Sequence, residues 1–107
     1  VQSNNINNLN LEKKFLQNFR FLKNLNLAQN SIASIEPDCF LDLSHLENLS
    51  LEYNKLERLL AFTFKGLIKL AKLNLSNNKI SHIDPNAFFD LVSLKYLYFN
   101  SNKISLS

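Results

Sequence analysis

Residues 70–93 read LAKLNLSNNKISHIDPNAFFDLVS, and this stretch decides the fold because its apolar and asparagine positions return every 24 residues. Leu22, Leu46, Leu70 and Leu94 share one phase, Leu27, Leu51, Leu75 and Phe99 a second, and Asn30, Asn54, Asn78 and Asn102 a third. A fixed period of this length is the signature of a solenoid, in which each unit buries its apolar side against its neighbours. Three complete units run 22–45, 46–69 and 70–93, with partial units at 1–21 and 94–107, so 1–107 reads as a single repeat segment.

Each unit opens on a short alternating run such as LAKLNLS, which predicts a strand with one side buried, because successive side chains of a strand point to opposite faces. Leu25 and Leu27, Leu49 and Leu51, Leu73 and Leu75, and Leu97 and Phe99 are expected to point into the core. Asn24, Asn26, Asn48, Ser50, Lys72, Asn74, Tyr96 and Tyr98 are expected on the opposite, concave face. Further apolar positions follow at Ile32, Leu56 and Ile80, at Ile35, Leu59 and Ile83, and at Phe40, Phe64 and Phe88, the phenylalanines predicting a spine up the convex side. One unit cannot bury so many apolar groups alone, whereas stacked units can.

The recurring asparagine calls for a bonding explanation. Where the chain leaves a strand its backbone groups lose their sheet partners, and a buried carboxamide, with two donors and an acceptor, can satisfy them on its own turn and the next. Asn4, Asn30, Asn54, Asn78 and Asn102 are therefore predicted to form a structural ladder. With only one Gly and two Pro, the turns are also expected to use Asn where φ is positive. In the first unit, Asn4, Ile6 and Leu9 align with Asn30, Ile32 and Ile35, which puts two extra residues around 11–15, in an outer loop carrying Lys13 and Lys14.

Composition is that of a globular chain: 46% hydrophobic and 20% charged, with a net charge of +3 spread along the sequence. Dispersed basic residues give no footprint for specific nucleic-acid binding, and none is predicted. Lys55, Lys79 and Lys103 do repeat one place after the ladder asparagines, a flank column read as a solvated edge. The lone Cys39, at the small-residue position before Phe40, reads as buried filler rather than a reactive thiol. No metal-ligand spacing or phosphate loop is present, and the repeat is expected to place no Ser or Cys nucleophile beside His82 and Asp84, so neither catalysis nor a metal or cofactor is expected. No apolar run is long enough to span a membrane.

The pattern carried by Leu70, Leu73, Leu75, Asn78, Ile80, Ile83, Phe88 and Leu91 resembles the leucine-rich repeat, and it extends over nearly the whole chain. The 24-residue unit with a small residue before Phe (Cys39, Thr63, Ala87) is similar to the extracellular type found in Toll-like receptors, small leucine-rich proteoglycans and neuronal adhesion receptors. Departures are Phe99 at a strand Leu position and Leu60-Ala61 in place of the acidic-Pro pairs Glu36-Pro37 and Asp84-Pro85. The resemblance implies an α/β-type solenoid, mostly β and coil: a right-handed coil with a parallel concave β-sheet and an irregular convex side. It also implies a non-catalytic protein- or ligand-binding segment of an extracellular or cell-surface receptor, Toll-like in innate immune recognition. Its partners would be a protein or glycan, and receptor dimerisation is part of the same expectation. The alternative is a secreted matrix or cell-adhesion protein without signalling. Both ends stop inside a unit, so the chain is expected to belong to a longer array.

The binding patch expected on the concave face is Glu52, Tyr53, Lys72, Tyr96 and Tyr98, because tyrosine offers a rigid apolar body with a polar tip. Tyrosine is equally at home on any exposed strand face. Two N-x-S sequons, at Asn48 and Asn74, place candidate N-glycosylation sites on that same face, where a glycan on Asn74 would obstruct Tyr98.

Overall fold

The structure is a computed structural model describing residues 9–104, with side chains from residue 10 onward. Among the described residues eight short strands follow in order: β1 (Leu9–Leu11), β2 (Asn24–Asn26), β3 (Ile32–Ile35), β4 (Asn48–Ser50), β5 (Arg58–Leu59), β6 (Lys72–Asn74), β7 (His82–Ile83) and β8 (Tyr96–Tyr98). A 3-10 turn, Lys13–Phe15, lies between β1 and β2. All pairings are parallel, as the strands of a coil must be when each turn repeats the last. The largest sheet has the order β2-β4-β6-β8, and two-stranded pairs β1-β3 and β5-β7 lie apart from it. The chain is thus a stacked solenoid, mostly strand and coil.

Register in the large sheet follows the period without error. Asn24 pairs with Asn48, Asn48 with Lys72 and Lys72 with Tyr96, each 24 residues on. Backbone bonds carry the ladder past the strand ends: the Leu27, Leu51 and Leu75 N–H groups donate to Ser50, Asn74 and Tyr98 oxygens at 2.8 Å. The core lies behind this sheet. Leu25, Leu49 and Leu73 are buried, as are Leu27, Leu51 and Leu75. Phe40 and Phe64 stack at 6.0 Å between ring centroids, and Phe64 and Phe88 at 5.9 Å, which forms the convex spine. Burying one such side chain stabilises the coil by about 1.5 to 3 kcal/mol.

Four expectations need correction. Leu97 is 44% exposed rather than buried, because β8 has only β6 beside it. The first unit carries no insertion at residues 11–15. Leu11 pairs with Ile35, its backbone oxygen accepts from Glu36 N–H at 2.8 Å, and Leu11 and Leu16 are buried where Ile35 and Phe40 lie one unit later. The irregularity falls earlier, between Leu9 and Asn10, where Leu9 pairs with Ile32 and the register slips. Asn4 lies outside the described residues.

Thirdly, positive φ does not fall to asparagine as expected. Gln29, Tyr53, Asn77 and Ser101, each just before a ladder asparagine, all have φ between 57° and 60°, and Asn77 is the one asparagine among the described non-glycine residues of this kind. The turn imposes the left-handed conformation on whichever residue stands there. The ladder asparagines reach across the turn instead, and here the fourth correction applies: they bond to the preceding unit, not the following one. Asn54 Oδ1 accepts from Asn30 and Ile32 N–H at 2.9 Å, and its Nδ2 donates to Leu27 and Leu51 oxygens at 2.9 Å. Asn78 and Asn102 repeat the arrangement, accepting from Leu56 and Ile80 N–H at 3.0 Å while donating to Leu51 and Leu75 oxygens. Asn30 Nδ2 donates to Ala28 O at 3.1 Å within its own turn.

Candidate functional site on the concave sheet

Because β2, β4, β6 and β8 are in register, their outward side chains form two straight rows across the sheet. The first row is Asn24, Asn48, Lys72, Tyr96, and the second is Asn26, Ser50, Asn74, Tyr98. Neighbouring members stand about 4.8 Å apart, the strand spacing. Chemistry changes along the rows from amide at β2 to phenol at β8.

At the β8 end, Tyr96 and Tyr98 are both exposed, and the Lys72 ammonium lies 5.5 Å from the Tyr98 ring centroid. Such a cation–π contact at an exposed site contributes about 0.5 to 1 kcal/mol and holds the lysine over the ring. Tyr53 is not in this group: it follows β4 in a left-handed turn, 54% exposed, and among the described residues no ring contact joins it to Tyr96 or Tyr98. Glu52, half-buried, lines the same concavity as Lys72, yet among the described residues no ion pair forms on this face.

At the other end the sheet floors a shallow concavity of about 510 Å³, lined by Asn24, Asn26, Asn48, Ser50, Glu52, Lys72 and Asn74 with the edges of Leu25 and Leu49. Asn48 Nδ2 donates to Asn24 Oδ1 across the strands. Asn26 Oδ1 accepts from Ala28 N–H at 2.9 Å, and Asn74 Oδ1 from Ser76 N–H at 3.0 Å. Ser50 Oγ is buried without a partner. The tyrosines drew attention in the sequence by their size; this amide end did not stand out, because asparagine recurs in every unit and only pairing distinguishes one from another.

Of the two sequon asparagines, Asn48 is exposed and Asn74 half-buried, and the Ser76 hydroxyl of the second sequon is buried, accepting from Asn100 N–H at 3.1 Å. Burial pushes the Cys39 thiol up to about 12 from its ordinary 9.0, with Glu36 and then Glu12 adding to the effect. Contrary to expectation a hydroxyl does lie beside His82: Ser81 Oγ is 3.1 Å from His82 Nδ1, at an exposed site. Among the described residues no group of His, Cys, Asp or Glu could hold a metal, and no helix is long and apolar enough to cross a membrane.

Over 46 residues, 43% of the chain, the sequence is 48% identical to Toll-like receptor 3 of Bos taurus, of which the match covers 5%. Among solved structures, a TLR13–ssRNA13 complex aligns over 99% of the chain and 22% of its own length, with a TM-score of 0.49 and 21% identity. The chain therefore spans a small part of the length of the relatives it matches. The family profile described as "Leucine rich repeat" matches residues 1–56 and 44–104, and the chain belongs to that family.

Proposed function

We propose that this chain is a non-catalytic recognition segment from the ectodomain of an extracellular or cell-surface receptor of Toll-like type, serving innate immune recognition of a protein or glycan ligand. The observation that carries the reading is the concave sheet, whose in-register rows present exposed tyrosines with a lysine held over one of them. Extended concave surfaces of this kind are what solenoids offer to partners. The identity with Toll-like receptor 3 supports the receptor type. Tyr96, Tyr98 and Lys72 form the binding patch in this reading, Glu52 lies at its edge, and Tyr53 contributes from the adjoining turn. Receptor dimerisation belongs to the same reading.

Retention of partners on immobilised wild-type chain, compared with Tyr96→Ala and Tyr98→Ala, tests the patch: loss of at least one partner is expected, and unchanged retention of all of them removes it. The parent transcript tests the receptor type, for which a membrane span and a signalling domain are expected. A transcript with neither points to a secreted adhesion protein. Asn48 and Asn74 are the candidate N-glycosylation sites; a glycan on either would fill the amide end of the concave face, and its presence in a secretory host is read as a mass shift on treatment with an N-glycosidase.

A further inference from the structure

We propose that the amide end of the concave sheet, which adjoins the tyrosine patch and shares Glu52 and Lys72 with it, is a subsite for a neutral oligosaccharide. It deepens the reading of the concave face as a ligand-binding surface and rests on it.

The hydrogen-bond inventory of the floor carries the inference. Each carboxamide has two donors and one acceptor. Asn24 uses its oxygen on Asn48, Asn26 on Ala28, and Asn74 on Ser76. Their three Nδ2 groups have no partner among the described residues, and neither has the Asn48 oxygen. Each Oδ1 is anchored by an internal bond, so the matching Nδ2 is oriented before any ligand arrives, which lowers the entropic cost of binding. Ser50 Oγ, shut away from solvent without a partner, adds an unsatisfied hydroxyl to the same concavity. A serine has three staggered rotamers, and a turn toward a ligand hydroxyl would relieve it.

The ligand class follows from what this floor has and lacks. Glu52 and Lys72 are its two charged residues and cancel, so nothing here draws a polyanion, whose binding depends on several cations. Leu25 and Leu49 are buried, so the floor has no exposed apolar anchor of the kind that dominates protein interfaces. Sugar hydroxyls both donate and accept, matching amide N–H groups beside an amide oxygen and the Glu52 carboxylate. The rows also repeat at about the length of one pyranose unit, roughly 5 Å. A chain of sugars laid across β2, β4 and β6 would meet one polar side chain per strand in each row.

The test uses the 107-residue chain, ¹⁵N-labelled and made in a host that adds no N-glycans, titrated to about 10 mM with maltotetraose, tetra-N-acetylchitotetraose and mannotetraose, and separately with a heparin tetrasaccharide. At least one neutral tetrasaccharide is expected to shift the side-chain amide signals of Asn24, Asn26 and Asn74, with a Kd near 1 mM. Asn24→Ala, at an exposed position where folding is preserved, is expected to weaken that binding about fivefold to tenfold. No shift with any neutral sugar overturns the proposal. So does a response to heparin alone, or neutral-sugar binding that survives both Asn24→Ala and Asn26→Ala. The tyrosine reading is judged on other variants and other probes, so either can fail while the other stands.

Discussion

Two columns of asparagine run up the same solenoid and do opposite things. Asn54 and Asn78 are buried, with oxygen and amide nitrogen both engaged by backbone groups of their own turn and the preceding unit. Asn24, Asn26 and Asn48, a few residues upstream in the repeat, are exposed on the concave sheet and keep part of their bonding capacity unused. The side chain is the same. What differs is the supply of orphaned backbone groups: the turn after each strand has many, whereas the strand itself has its partners in the sheet. A residue type thus takes its role from the unmet bonds around it, and the two columns should respond to mutation by very different amounts.

The largest effect is expected where the wall behind both columns is breached. Phe64→Ala removes the middle ring of the spine and should cost about 3 to 5 kcal/mol, read as a fall in the denaturant midpoint. Asn54→Ala should approach that figure at about 3 kcal/mol, because it strands backbone groups of two units at once. A loss below about 1 kcal/mol would break the contrast between the columns. Asn102→Ala sharpens it from within: the same bonds at a half-exposed site can be replaced by water, so about 1 to 2 kcal/mol is expected. At the small end, Asn24→Ala should stay within about 0.5 kcal/mol, since its surroundings are already solvated.

The buried thiol provides a check that depends on pH rather than on mutation. Cys39 is held neutral in the folded chain, its pKa raised to about 12, while an unfolded chain ionises it near 9.0. The stabilising contribution is therefore fully present below about pH 9 and is lost as pH rises toward 12. Cys39→Ala should flatten that part of the alkaline stability profile. The folded wild type should resist alkylation at pH 8 until denaturant is added, because the thiolate is the nucleophile.

Much of this was legible in the sequence because a solenoid writes its geometry as a period. The spacing of Leu49, Leu73 and Leu97 gave the strands, and the residues between them gave both concave rows without reference to coordinates. Phase within the first unit was harder. Leu9 and Leu11 are two apart and equally apolar, so period-2 spacing cannot choose between them, and the Glu36–Leu11 backbone bond decides it. Left-handed turn residues were hidden for another reason: Gln29, Tyr53 and Ser101 have no special preference for positive φ and are driven there by closure of the turn. Which amide atoms on the concave face are left unbonded depends on how the side chains pair, and residue identity does not record that.

The ladder also has a mechanical consequence. Its bonds between turns, like those of the sheets, join adjacent turns, with partners 22 to 27 residues apart. Tension applied at the two ends is therefore borne in series, one seam after another, and among the described residues no hydrogen bond ties distant turns together. Pulled in an optical trap, the chain should pay out turn by turn, each 24-residue unit releasing about 80 Å of contour as its asparagine lets go.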